Sequence, residues 1–372
     1  MKGFPSWVIG LAGSSAFVGL MILGALLVLA SKFVNEFTHS HVKLDETEFT
    51  WGMPEGETEP PAAFRRPLSI QTCDGKRLQG EFWTQPHPAP TIILCHGFRV
   101  PRHHLHPVAA LEYRSGYNIL LFDFRGHGQS ARAVTSGGIA EVRDLEAALK
   151  VARQQPETLP GKVILHGFSM GASVALLLPP QLDVAAIIAD SPYARLDAIL
   201  RRLVHYRLTT GTLSWPPCLR WLRSAIPALS WAAVAVSRPL FRLRFGHALI
   251  ARPDRRFEWG RRSAQAGLPL HTTPILFIHS ADDPLIPVSH AQRLAALAQA
   301  YGVPLETYYV EHATHCGAYG SNPGRYVTLL QQFLALHVKD EASPPSTAFR
   351  TDHLKDREVT PSIREALSTI HP

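Results

Sequence analysis

The sequence predicts an α/β protein: a mostly parallel, doubly wound sheet with a helical insert, preceded by an apolar N-terminal helix. Three observations lead there. From residue 91 onward, short uniformly apolar runs alternate with longer amphipathic stretches, the pattern of strands buried on both faces and helices that cover them. Ahead of this alternation, Asp74-Gly75 separates two strand-like runs and marks an antiparallel hairpin. Finally, Gly167-Phe168-Ser169-Met170-Gly171 lies between the apolar run Lys162 to His166 and an Ala/Leu-rich run, which reads as strand, tight turn and helix.

The 372 residues, 46% hydrophobic and 18% charged, suffice for one large α/β domain with appendages and exclude a disordered chain. The four cysteines, Cys73, Cys95, Cys218 and Cys316, form no C-x-x-C, which argues against a zinc site or a disulfide framework. The net charge of +7 is local. Between Arg195 and Arg262 stand 14 arginines, no lysine and three acids, a balance of +11 that leaves −4 for the remainder. The basic character therefore belongs to one insert, and no nucleic-acid partner is expected.

In chain order, residues 5–30 are uncharged and apolar between Lys2 and Lys32, long enough to span a bilayer. Residues 1–34 thus read as a single-pass membrane anchor. Val28-Leu29-Ala30 also fits a cleavage site, so a removed signal peptide is the alternative. The flanking charges do not decide which side the rest occupies. Residues 35–65, acidic and proline-punctuated, read as a linker. The main domain is expected over 66–338, opened by strands at Leu68 to Thr72 and Leu78 to Thr84. Further strands follow at Thr91 to Cys95, Asn118 to Asp123, Lys162 to His166, Val184 to Asp190, Pro274 to His279 and Leu305 to Val310. Helices are expected near 103–115, 138–154, 170–178, 289–301 and 323–337. Residues 339–372, rich in Pro, Ser, Asp and Glu, read as a disordered tail with one helical turn near Ile363 to Leu367.

The G-x-S-x-G turn is where a strained serine can act as a nucleophile at a helix N-terminus, which makes Ser169 the candidate. Its flanking glycines spare the turn a collision with the neighbouring strand or helix. Ligands of open α/β sheets meet the carboxyl ends of strands, and two later strand ends carry suitable partners. One runs into His279-Ser280-Ala281-Asp282-Asp283, with two adjacent carboxylates; the other runs into Glu311-His312-Ala313-Thr314-His315-Cys316, with two histidines. Ser, acid, His is the chain order of this turn type.

With His96-Gly97-Phe98 and Asp123-Phe124-Arg125-Gly126-His127-Gly128 after earlier strands, these residues resemble the α/β-hydrolase superfamily. Within it the chain is similar to the lysophospholipase, monoacylglycerol lipase and serine-aminopeptidase-like serine hydrolases, over about residues 66–338. The resemblance implies that Ser169 is the nucleophile, Asp283 the acid and His315 the base, with Asp282 and His312 as rivals. It implies an oxyanion hole from the backbone N–H groups of Phe98 and Met170, whose side chains would line an acyl pocket. Asp190 holds an alternative position for the acid used by some members, which the Asp283 loop fits better. This chemistry calls for no metal and no organic cofactor.

Other residues read as structural: Asp123, Arg125 and His96 as loop supports, Cys316 as a small buried residue, and His103, His104 and His106 as a helix start without a carboxylate partner at ligand spacing. Between about 193 and 265 the chain inserts the segment that the family uses as a lid. It holds Trp215, Trp221, Trp231 and Trp259, with prolines at 216, 217, 227 and 239 expected to divide it into short helices. Its arginines either face water on an ordinary cap or meet anionic lipid headgroups. A second transmembrane helix across 213–245 is excluded by Arg220, Arg223, Arg238 and Arg242. The expectation is a membrane-anchored hydrolase of carboxylic esters with a lipid-like or monoacyl substrate. An amidase or aminopeptidase-like peptide hydrolase shares every residue named, and a non-catalytic binding scaffold is the alternative of another class.

Overall fold

The computed structural model describes residues 59–210, 224–246, 251–257 and 273–338, together with helical positions between Met21 and Thr38. Most of the expected anchor, residues 36, 37 and 39–58 of the expected linker and the expected tail lie outside the described residues.

One eight-stranded sheet forms the centre, in the order β1-β2-β4-β3-β5-β6-β7-β8. Its strands are β1 Arg65–Gln71, β2 Arg77–Trp83, β3 Ala89–Cys95, β4 Asn118–Phe122, β5 Thr158–Phe168, β6 Ala186–Asp190, β7 Ile275–Ser280 and β8 Leu305–Val310. β2 pairs antiparallel with both β1 and β4. All other neighbours are parallel. The predicted hairpin closes at Gly75, whose φ of 78° few other residues adopt without cost. β1 begins at Arg65, three residues earlier than expected. The residue ahead of it that reads as linker, Glu59, is tied to the sheet edge by Arg65 and by His106.

The strands alternate between two apolar layers. Ile92 and Leu94 of β3 face α1 (His106–Arg114) and α7 (Pro323–His337); Ile93 and Cys95 face α2 (Glu141–Gln154), α3 (Met170–Leu177) and α6 (Ser289–Ala300). Each buried aliphatic side chain contributes about 1.5–3 kcal/mol, whereas an exposed ion pair gives about 0–1 kcal/mol. The two layers therefore set the architecture. The chain leaves β3 through α1 to β4 on one side and returns through α2 to β5 on the other. That reversal opens a crevice at the carboxyl ends of β3 and β5, the usual ligand position.

The insert contributes α4 (Leu196–Thr210) and α5 (Ile226–Phe245). Of the expected divisions, the one at Pro227 falls at the start of a helix, and the one at Pro239 does not occur. Pro227 sits in the first turn of α5, where its missing N–H has no partner to lose. Pro239 lies inside α5, yet Ala233, Val234 and Phe241 on either side are buried in the core. Packing on both sides of the proline outweighs the roughly 3 kcal/mol that an interior proline costs. The helix then ends at Gly246, φ 71°. Prolines 216 and 217 and Trp215, Trp221 and Trp259 lie outside the described residues.

Of the N-terminal helical positions, Val34 is buried in the core cluster, while Met21, Leu23, Leu27 and Val28 are exposed. Among the described residues no helix is long and apolar enough to cross a membrane.

Candidate active site

Three loops at the carboxyl ends of β5, β7 and β8 meet in one hydrogen-bonded line. The Ser169 Oγ lies 2.8 Å from the His315 Nε2, and the His315 Nδ1 lies 2.6 Å from the Asp283 Oδ2. Ser169 has φ 53° and ψ −110°, a conformation that costs on the order of 1–3 kcal/mol. It is held there by its N–H, which donates to the Asp190 carbonyl at 2.8 Å, and by α3, which starts at the next residue.

Both flanking glycines are sterically required. A Cβ on Gly171 would overlap the Cys95 carbonyl at the end of β3, and one on Gly167 would come within 2.5 Å of the Ala172 N and the Gly171 carbonyl. The turn thus closes directly against the crevice between β3 and β5.

The Asp283 carboxylate is held at both oxygens. While its Oδ2 meets His315, the Asp283 Oδ1 accepts from the N–H groups of Leu285 and Ile286, each at 2.8 Å. The Ile286 carbonyl in turn lies 2.8 Å from the His279 Nε2, so His279 and Ile286 of the predicted loop are its supports. Burial alone would raise the Asp283 pKa. The hydrogen bond and charge of His315, the Ile286 N–H and His279 outweigh burial and hold it below the ordinary carboxylate value. The Asp283 and His315 loops are joined by the Ser280 hydroxyl, which donates to the Ala313 carbonyl.

The rivals point elsewhere. Asp282 and His312 pair with each other at the surface. Cys316 is buried, and burial with the nearby Asp190 and Asp283 carboxylates pushes its thiol well above the ordinary value, so it remains protonated.

Met170 opens α3, where a backbone N–H has no acceptor one turn back. Its side chain is buried in the core. Gly97 comes close to the serine: a Cβ there would lie 3.5 Å from the Ser169 Cβ, and Phe98 follows, half-buried. His96 fixes this loop. Its Nδ1–H donates to the Gly97 carbonyl at 2.7 Å, and its Nε2 accepts from the Phe124 N–H at 2.8 Å. Burial and the adjacent His127 lower its pKa to about 3, which keeps that acceptor nitrogen unprotonated.

Asp123 accepts from the Arg102 and Gln129 N–H groups, and Arg125 bridges Asp74 and Asp144; both are loop supports as predicted. His106 differs from expectation, because it lies between two carboxylates, 2.5 Å from Glu59 and 2.9 Å from Glu81. Among the described residues no cluster of His, Cys, Asp or Glu is placed to hold a metal ion. Sequence reasoning missed a buried polar line behind the site, Glu112, His166, Tyr326 and Ser191, which meets Asp190. Its one visible signal is His166, a histidine directly after the apolar run Val163 to Leu165.

A family model described as the alpha/beta hydrolase family matches residues 92–329. The Bacillus subtilis (strain 168) protein YqkD is 32% identical over 274 residues, covering 71% of this chain and 77% of that protein. The Mycobacterium tuberculosis (strain H37Rv) protein Rv2307c is 26% identical over 250 residues, covering 66% and 71%. Among solved structures, the Pyrococcus furiosus esterase Pf2001 is similar with a TM-score of 0.56 and 22% identity, over 80% of this chain and 100% of that one; this likeness is one of fold. The strand order and the match over most of the sheet lead to one conclusion: the chain belongs to the alpha/beta hydrolase family.

Proposed function

We propose that the protein is a serine hydrolase that cleaves carboxylic esters through Ser169, His315 and Asp283. The observation that carries this reading is the continuous path from the Asp283 carboxylate through both ring nitrogens of His315 to the Ser169 hydroxyl. In the reaction His315 takes the hydroxyl proton as Ser169 attacks the carbonyl carbon, and Asp283 holds the imidazole with Nδ1–H toward itself and stabilises the imidazolium. The oxyanion is received by the N–H groups of Met170 and Phe98, each worth on the order of 3 kcal/mol in such sites. His315 returns the proton to the departing alcohol. Water then attacks the acyl-enzyme, with His315 again as base, and releases the acid and Ser169.

Lipid-like or monoacyl esters are the favoured substrates, with membrane attachment through the N-terminal segment. Support comes from the apolar run 5–30, from the exposed Met21, Leu23, Leu27 and Val28, and from Tyr206, Trp231 and Leu243 exposed on the insert helices α4 and α5. An oriented lipid surface gives such residues a place to bury apolar area. A panel of acyl esters of graded length and aminoacyl amides, read with wild type and Ser169→Ala, tests the substrate. Hydrolysis confined to the esters, and lost in the variant, is expected; turnover of amides alone would replace the esterase reading with that of an amidase. Co-sedimentation of the full chain with vesicles, compared with the chain lacking residues 1–34, tests the attachment, which equal recovery of both in the supernatant would contradict.

A further inference from the structure

Two residues at the end of β6 are bonded to the nucleophile turn, to the base loop and to β7 ahead of the acid loop, and the triad scheme gives them no role. The Asp190 carbonyl accepts from the Ser169 N–H at 2.8 Å; the Ser191 N–H donates to the Ile278 carbonyl of β7 at 2.8 Å. The Ser191 hydroxyl accepts from the N–H of Cys316, the residue after His315, at 3.2 Å. It donates its own proton to the Asp190 Oδ1 at 2.8 Å. The nucleophile turn, the base loop and the strand that leads into the acid loop are thus fastened to one dipeptide. Ser191 and Cys316 have φ values of 54° and 55°, in the left-handed region that residues with a side chain rarely occupy. Neither residue is a glycine, so the surrounding bonds must hold this backbone in place.

Behind the dipeptide runs a buried line that fixes the Asp190 carboxylate. The Tyr326 hydroxyl donates to the Asp190 Oδ2 at 3.1 Å. Burial and the Asp190 and Glu112 carboxylates push this phenol well above its ordinary value, so it keeps its single proton for that bond. The Tyr326 oxygen must then accept from the His166 Nε2–H, 3.0 Å away. One further proton lies between the His166 Nδ1 and the Glu112 Oε1, 2.6 Å apart. The line ends on the Asp190 carboxylate. The titratable groups around the Asp190 carboxylate are His166, Tyr326, His315 and Cys316, and those around His315 include Asp283 and His279.

We infer that Asp190 and Ser191 are positioning residues for the catalytic base: Ser191 holds the turn that carries His315, and Asp190 supplies a second carboxylate charge that favours its imidazolium. The inference rests on the serine hydrolase reading. Burial raises the Asp190 pKa to about 6 against hydrogen bonds from Ser191 and Tyr326 and the charges of His166 and His315. Both Asp190 oxygens accept a hydrogen bond, from the Ser191 and Tyr326 hydroxyls, which favours the ionised carboxylate.

The test is the second-order rate at which a fluorophosphonate probe labels Ser169, measured from about pH 5 to 9 on the full chain, with Tm recorded for each variant. A negative charge near an imidazole makes it easier to protonate. Asp190→Asn is therefore expected to move the acid limb of the profile to lower pH by roughly half a unit and to reduce the plateau about tenfold. Ser191→Ala loses the strap and one of the two hydrogen bonds that favour the ionised Asp190 carboxylate, so its plateau falls about fivefold and its limb moves to lower pH by no more than that of Asp190→Asn. A purely structural role lowers Tm and leaves the profile of the folded fraction unchanged; that result for both variants overturns the inference. If Asp190→Asn does not fold, Ser191→Ala decides, and a plateau within about twofold of wild type overturns the positioning role. Labelling that is absent from wild type, or that persists in Ser169→Ala, overturns the hydrolase reading and this inference with it. Normal labelling with unchanged profiles overturns the inference alone.

Discussion

Asp282 and His312, the residues that compete by sequence for the roles of acid and base, bond to each other: the His312 N–H donates to the Asp282 Oδ2 at 2.8 Å. His312 is 90% exposed there, whereas the His315 side chain is 6% exposed and Asp283 is buried beside it. The adjacent pairs therefore differ in environment, and only the buried one can deliver a directed proton transfer. Asp283→Asn is expected to lower kcat by a factor on the order of 10⁴, whereas Asp282→Asn and His312→Ala stay within about threefold of wild type. Steady-state rates on one ester substrate check this; a larger loss in Asp282→Asn than in Asp283→Asn would reverse the assignment.

Gly171→Ala places a methyl group into the Cys95 carbonyl, backbone against backbone, with no flexible side chain to yield. The expected cost is about 3 kcal/mol or more. Thermal unfolding of the variant would show it as a large fall in Tm or as failure to fold. A Tm within two or three degrees of wild type would mean that β3 and α3 are less tightly apposed than described.

Arg125 ties Asp74 of the hairpin loop to Asp144 of α2, and Asp144 is buried. Arg125→Ala strands that carboxylate, at a cost of about 3–5 kcal/mol. Because the bridge touches none of the three site residues, the folded fraction should still be labelled at Ser169 at the wild-type rate. Denaturant unfolding and probe labelling of the same sample read the two effects separately.

Glu81 gives a pH dependence. Burial raises its pKa, but hydrogen bonds from His106 and Trp83 and the charges of His106 and Arg102 prevail and hold it at about 2, against an ordinary 4.5. A depressed folded value means that its contribution is complete above the ordinary value and is lost as pH falls toward about 2. The Tm difference between wild type and Glu81→Gln is thus expected to shrink as pH falls from about 5 toward 2. A difference that grows on acidification would contradict this.

Most of the fold was legible because its signals are local. Apolar runs such as Asn118 to Phe122, the Asp74-Gly75 turn and the glycines around Ser169 each state their own conformation. The order of Ser169, the carboxylate loop and the histidine loop could be read because strand ends carried them. What could not be read depends on partners remote in sequence. His166 meets Glu112 and Tyr326 across 54 and 160 residues, and nothing near Tyr326 marks it as a donor to Asp190. Glu59 looks like linker because its composition is that of a linker, yet Arg65 and His106 hold it. Pro239 shows the opposite failure: a local rule for breaking helices yields to burial on both sides of the proline.

That Ser169 is a nucleophile activated by His315 and Asp283 is decided by fluorophosphonate labelling of the full chain followed by peptide mapping. The expected result is a single label on Ser169, absent in Ser169→Ala and slowed by orders of magnitude in His315→Ala and Asp283→Asn. A label on another residue, or wild-type labelling that persists without His315, would contradict it.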